Sequence, residues 1–147
     1  NAASTSYRQT QWREALHGFT ASQVMTSDYQ EVPPDITVDE LVKRYVLPTG
    51  QRFFLVADEG GAKGILTMRN IKSVPQVRWD TTQVEKIMLP INRLKAARPE
   101  QDVLSIAEEM NENDINQIPV VSEGKVIGLI TRENLIRFMR TRSELGM

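Results

Sequence analysis

The chain has 147 residues, with 18 Lys and Arg against 19 Asp and Glu, one histidine and no cysteine. That length suits one compact domain or two small subdomains sharing a core, and the balanced charge gives no footing for nucleic acid or an acidic membrane surface. Disulfides and thiolate metal sites are excluded, apolar runs of about five residues fall far short of the roughly twenty needed to cross a bilayer, and no signal-peptide pattern opens the sequence.

Residues 1–6 are small and polar. Tyr7–His17 places Trp12, Ala15 and Leu16 on one side and Arg8, Gln9, Arg13 and Glu14 elsewhere, which predicts a short amphipathic helix stopped by Gly18. A helix this short is marginal alone, so it is expected to pack on the rest of the chain or on a partner. Ser22 is expected to cap one helical turn through Val24-Met25-Thr26. Tyr29–Val32 reads as a brief strand ended by Pro33-Pro34-Asp35. Thr37–Leu47 reads as a helix: Thr37-x-x-Glu40 is a capping box, and Val38, Leu41, Val42, Tyr45 and Val46 share one face. Pro48-Thr49-Gly50 is expected to break it. Phe53–Ala57 and Ala62–Leu66 read as strands around an Asp58–Gly61 turn. They do not alternate, so both faces should be covered. Met68–Ser73 reads as a short helix stopping before Pro75, and Trp79 as the anchor of the link that follows.

Thr82–Met88 repeats the opening turn and Pro90 breaks it; Leu94–Ala97 is a brief strand. Glu100–Asn111 reads as a helix with Val103, Leu104, Ala107 and Met110 inward, and Asn113–Asn116 as a polar turn. Ile118–Val121 and Val126–Ile130 form a hairpin about Glu123-Gly124-Lys125. Thr131 then starts a helix carrying Leu135, Ile136 and Met139, and Arg140–Met147 reads as a polar tail. Gly64–Ile71 matches Gly128–Leu135 position by position at a spacing of 64 residues. Val24-Met25 matches Ile87-Met88, and Leu41 matches Leu104, at a spacing of 63. Two copies of a strand-helix-strand-strand-helix unit therefore fill most of the chain. Neither copy carries enough apolar surface alone, which predicts two sheets packed face to face around a pseudo-twofold axis.

A strand that ends in Gly-x-x-Thr and feeds a helix presents backbone N–H groups and the positive end of the helix dipole, which suits an anion. Thr67 and Thr131 have a plain reading as N-caps worth about 1 kcal/mol each and a functional one as hydroxyls on a phosphate; both can hold together. Arg132 follows Thr131 and can reach a phosphate, whereas its counterpart Met68 cannot, so any asymmetry favours the Arg132 site. The plain reading of Arg132 is a solvated side chain on a first helical turn. The lone His17 makes no zinc site without cysteine or nearby carboxylates. Trp12 and Trp79 read as packing anchors. There is no Gly-x-Ser-x-Gly, no Walker loop and no cysteine nucleophile, so catalysis has no positive signal.

The paired Gly-x-x-Thr-x-x-Asn stretches, the Val24-Met25-Thr26 and Ile87-Met88 openings, and Ile118-Pro119-Val120 resemble a tandem pair of CBS domains, a Bateman module, over residues 20–140. The resemblance implies an α/β fold of two βαββα units around a pseudo-twofold axis with a short N-terminal helix. Its domains would be 1–19 (linker and helix), 20–78 (first CBS domain), 79–142 (second CBS domain) and 143–147 (tail). It implies a non-catalytic regulatory module that takes AMP, ADP or ATP in the cleft between repeats, with no cofactor required, and that forms a disc-like homodimer. It assigns Thr67, Asn70, Thr131, Arg132, Asn134, Thr26 and Pro119 to the nucleotide, with backbone near Ser27, Asp28 and Pro90–Asn92 around the base. Asn70 and Asn134 stand where nucleotide-binding CBS domains usually carry the Asp that holds the ribose hydroxyls. Asn offers a neutral acceptor instead, which weakens a ribose clamp and supports the alternative, a structural dimerisation module with a degenerate cleft. The segment Arg13-Glu14-Ala15-Leu16-His17-Gly18-Phe19-Thr20 and the ending Leu135–Gly146 are also similar to the CBS region of bacterial site-2-protease-like zinc metallopeptidases. That likeness implies an attached intramembrane protease with this module on the cytoplasmic side. The protease motif His-Glu-x-x-His is absent here.

Overall fold

The computed structural model describes residues 11–147. They form two compact units: Asp28–Leu94, and the residues up to Ser27 together with Lys95–Met147.

In the Asp28–Leu94 unit, β1 (Gln30–Val32) runs parallel to β2 (Phe53–Asp58), β2 pairs antiparallel with β3 (Gly61–Thr67), and β3 with the two-residue β4 (Leu89–Pro90). Phe54, Leu55 and Val56 are all buried, so both faces of the central strand are covered, as its unbroken apolar run predicts. Thr37 accepts a hydrogen bond from Glu40 N (3.1 Å) and starts α3 (Val38–Leu41). Val38 and Leu41 enter a core with Val32, Phe54, Leu66 and Ile71, and Val42, Tyr45 and Val46 pack at its edge. Pro48 does not end this helix. The chain continues through a π turn (Val42–Val46) into α4 (Leu47–Thr49) and stops at Gly50, φ +70°. A proline ring crowds the carbonyl four residues back and supplies no N–H. The wider turn, in which Leu47 N–H donates to Val42 O, accommodates it. After β3 comes α5 (Met68–Lys72), and Trp79 anchors the link by donating its indole N–H to Val74 O (2.8 Å).

The other unit repeats this plan with a split chain. α1, described over residues 11–16, ends at Gly18 with φ +85°; the expected helical residues 7–10 lie outside the described part. α2 (Ala21–Val24) is capped by Thr20, not by Ser22. Ser22 N–H is already taken by Pro99 O (2.9 Å), while Gln23 Oε1 accepts from Thr20 N (2.8 Å). α6 (Val103–Glu112) begins three residues after Glu100, because Asp102 is extended in a bridge to Thr20. It buries Ile106 besides the expected Val103, Ala107 and Met110. The expected strand at 94–97 is reduced to one parallel bridge from Ala97 to Val120. β5 (Gln117–Ser122) and β6 (Lys125–Thr131) form the hairpin, and α7 (Arg132–Leu145) follows. Residues 140–145 are helical rather than a tail, and Gly146 at φ +73° closes the helix, with Met147 N–H on Arg142 O (2.9 Å). Leu16, Ala21 and Val24 share one core with Val103, Met110, Ile118, Ile130 and Leu135.

Candidate functional site

The site begins where β6 hands over to α7. Thr131 is extended and 2 % exposed. Its Oγ1 accepts from Asn134 N (3.0 Å), and its own N–H donates to Asn134 Oδ1. This is a reciprocal capping box with Asn at the third helical position. The Asn134 amide nitrogen donates to Val24 O (2.6 Å). Both ends of the Asn134 side chain are thus used within the protein. A carboxylate there would have no hydrogen to offer Val24, which accounts for Asn at this position.

The Asp28–Leu94 unit repeats the box. Asn70 N donates to Thr67 Oγ1 (3.3 Å), and Asn70 Oδ1 accepts from Thr67 N (2.9 Å) and Thr67 Oγ1 (2.9 Å). Asn70 is half-buried, and among the described residues its amide nitrogen makes no hydrogen bond. The two boxes are therefore alike in their caps and unlike in what the amide nitrogen holds.

Arg132 is turned away from the helix start. Its Nε donates to Asn116 Oδ1 (2.7 Å) and its Nη2 to Met110 O (3.2 Å), with Asp114 Oδ1 at 3.5 Å. The guanidinium serves the Met110 carbonyl in the last turn of α6, where a helix dipole favours a cation. Its backbone N–H is also occupied, by Asn116 O (3.2 Å). Met68, its counterpart, packs against the core of its own unit.

Thr26 pairs with Leu129 through two backbone bonds, Thr26 N to Leu129 O (2.8 Å) and Leu129 N to Thr26 O (2.9 Å). Leu129 is also the ladder partner of Pro119. Pro119 is buried and accepts Ala97 N (2.9 Å), so it lies inside the strand array, with its missing N–H at no cost to the ladder. Thr26, Pro119, Thr131, Arg132 and Asn134 are thus gathered around β6, while Thr67 and Asn70 sit in the other unit. Ser27 Oγ donates to Ile127 O (3.2 Å), Asp28 accepts from Gln51 Nε2 (3.4 Å), and Pro90 pairs with Gly64.

The glycines of both Gly-x-x-Thr stretches have a role the sequence reading missed. A Cβ on Gly128 would stand 2.5 Å from Met25 Sδ; one on Gly64 would stand 2.6 Å from Met88 Sδ and from the Leu89 carbonyl oxygen. The methionine of each opening segment packs against the glycine of a hairpin. The signal was present, since the internal repeat keeps both the Met and the Gly of each pair.

Among the described residues no cluster of His, Asp or Glu could hold a metal ion, and no helix is long and apolar enough to cross a membrane. Burial, and then the nearby Glu31 charge, push the Tyr29 phenol above its ordinary value.

The CBS-domain family matches residues 21–76 and 84–141. The chain belongs to the CBS-domain family. As a CBS pair it is a regulatory, non-catalytic module. It is 28% identical over 86% of its length to a Mycobacterium tuberculosis protein named "Putative zinc metalloprotease Rip3", and 23% identical over 95% to a Synechocystis protein named "Putative zinc metalloprotease sll0528". It spans 33% and 38% of those relatives. Among solved structures it is similar to the cytosolic domain of the Mg2+ channel MgtE in complex with ATP, with 28% identity, TM-score 0.65, and 84% of this chain and 51% of that one covered. It also shares the fold of the CBS pair of protein MJ0100, in complex with 5-methylthioadenosine and S-adenosyl-L-methionine, with 21% identity, TM-score 0.69, and 84% and 98% covered.

Proposed function

We propose that this CBS pair binds an adenine nucleotide (AMP, ADP or ATP) and thereby biases an attached catalytic domain, a membrane-embedded site-2-type zinc protease, from the cytoplasmic side, as a homodimer. The observation that carries the reading is the likeness, over 84% of the chain, to the cytosolic domain of the Mg2+ channel MgtE in complex with ATP. The protease attachment rests on the relatives named as zinc metalloproteases, of which this chain spans about a third. Within the module we place ligand contacts at Thr67 and Asn70 in one unit, and at Thr26, Pro119 and Thr131 in the other. Asn134 and Arg132 then act as supports, because their side chains are bonded to Val24, Asn116 and Met110. Regulation requires the nucleotide to bind two states of the module with different affinity.

One observation favours the alternative, a structural dimerisation module. The N–H groups of Arg132 and Asn134 at the start of α7 already have protein acceptors, which leaves less for a phosphate. Isothermal titration with AMP, ADP and ATP separates the two. Saturable heat, weakened by Asn70→Ala and Thr131→Ala in variants that keep native circular dichroism, is the expected result. A flat titration at millimolar nucleotide from a stable dimer by light scattering sinks the nucleotide reading.

A further inference from the structure

α1 and α7 are fixed to one core and to each other. Leu16 and Leu135, both fully buried, enter the same cluster as Ile118 and Ile130 of the β5–β6 hairpin. Arg142 donates through Nη1 to Ala15 O and to Glu14 O (3.2 Å), and its guanidinium carbon stands 4.8 Å over the Phe19 ring. The groove of about 430 Å³ between the two helices is therefore a preformed feature. Its volume lies in the range of sites that take small molecules.

The groove is apolar along its length and charged on both sides. Trp12 and Ala15 line it from α1, and Ile136 and Met139 line it from α7. Ile136 is 47% exposed, a large apolar side chain left half in solvent. Glu14 lines the α1 side and Arg140 the α7 side. Both are exposed, and neither side chain has a hydrogen bond or an ion pair among the described residues. Arg142, by contrast, is already committed to the α1 carbonyls. The groove thus offers one uncommitted carboxylate facing one uncommitted guanidinium across an apolar strip.

Those two charges cancel, which gives no preference for a simple anion or an anionic membrane surface. They suit a ligand that carries both signs with apolar groups between them. A short peptide with free termini has that chemistry: an ammonium at one end, a carboxylate at the other and side chains between. Length favours it over a single amino acid. Ile136 to Ser143 spans about 10 Å at 1.5 Å per residue of helix, which matches roughly three extended residues.

We infer that the groove between α1 and α7 binds a peptide of two or three apolar residues, with its ammonium on Glu14, its carboxylate on Arg140 and its side chains against Trp12, Ile136 and Met139. This goes beyond the nucleotide reading and does not rest on it.

Nuclear magnetic resonance of the nitrogen-15-labelled 147-residue chain, titrated with Leu-Leu, tests the inference. The chain has two tryptophans. Trp12 lines the groove, while Trp79 lies in the other unit with its indole N–H on Val74 O (2.8 Å) and serves as the internal control. Leu-Leu should move the Trp12 indole signal, identified by its loss in Trp12→Phe, and should saturate it at roughly millimolar peptide while the Trp79 signal stays in place. N-acetyl-Leu-Leu should bind about two- to fivefold more weakly than Leu-Leu, the range of an exposed ion pair, and the difference should disappear in Glu14→Gln. Leu-Leu-amide should show the same deficit, and Arg140→Gln should abolish it. Each pairing is a double-mutant cycle on an exposed side chain, so it reads the contact and not the fold. No saturable Trp12 shift by about 10 mM Leu-Leu, equal binding of free and blocked peptides, or a shift shared by Trp79 overturns the inference. A groove covered by a second copy gives the first of these outcomes, and a Trp12 signal that moves on dilution of the protein identifies it.

Discussion

Gly64 and Gly128 occupy matched positions and should respond differently to the same substitution. The three nearest atoms to a Cβ at Gly128 all belong to the Met25 side chain, whose outer atoms can move aside; at Gly64 the nearest include the Leu89 backbone carbonyl, which cannot. Overpacking costs about 1–3 kcal/mol, so Gly128→Ala should fall at the low end and Gly64→Ala at the high end in urea unfolding. Met25→Ala should relieve Gly128→Ala, whereas Met88→Ala should not rescue Gly64→Ala. Equal penalties would show that the methionine contacts do not set the choice of glycine. The two asparagines should split in the same way. Asn134→Asp removes the hydrogen that this side chain donates to Val24 O and buries a charge, for a loss of about 2–3 kcal/mol at neutral pH. The loss should shrink as pH falls toward about 4, because burial holds this carboxyl above its ordinary value and the protonated Asp donates again. Asn70→Asp should cost less than about 1 kcal/mol at any pH, because its amide nitrogen holds nothing. A pH-independent deficit for Asn134→Asp would remove the Val24 bond from the account. The caps at Thr67 and Thr131 were legible in the sequence because a capping box spans four residues. The Asn134 partner was not, because Val24 lies 110 residues away.

At the scale of elements, the hairpins were read almost to the residue, since each strand pair and its turn is local. The second turn takes left-handed backbone at Glu123 (φ 51°) and Gly124 (φ +76°), the pairing a two-residue hairpin loop requires. Helix ends were read less well, and for two separate reasons. The rule that makes Pro48 a stop assumes α geometry throughout. The π turn before it changes which carbonyl the ring faces, and Gly50 N–H still reaches Val46 O (2.8 Å). Polarity alone makes residues 140–145 read as a tail. They stay helical because Arg142 has tertiary partners on α1 and Phe19, and because Gly146 supplies the left-handed stop. A polar composition reports exposure, and an exposed helix with good formers remains a helix. The late start of α6 has a similar origin: the bridge from Asp102 to Thr20 holds extended a residue that local acidity placed in a first turn.

At the scale of the whole molecule, the repeat in the sequence and the unit in space do not share boundaries. The opening segment of the first repeat folds with the hairpin of the second: Val24 and Ala21 enter its core, Thr26 extends its ladder, and Met25 covers Gly128. Ile87, Met88 and Leu89, the matching segment of the second repeat, serve the first hairpin in the same way. Self-similarity reveals that a unit is duplicated; it carries no information on which copy of a segment pairs with which copy of a hairpin. This arrangement makes the N-terminal residues structural rather than dispensable. A chain beginning at Asp28 loses Leu16, Ala21 and Val24 from one core and the edge partner of β6 from one ladder. A single large-to-small change at a site like Leu16 costs about 2–5 kcal/mol, so removing all three, with a ladder segment, should leave the β5–β6 hairpin without a stable core. Hydrogen exchange of the truncated chain should therefore show protection collapsing at 117–131 far more than at 53–67, whose own core residues, from Val32 to Val84, are all retained. Equal loss in both hairpins, or none in the second, would mean that each sequence repeat folds as its own unit.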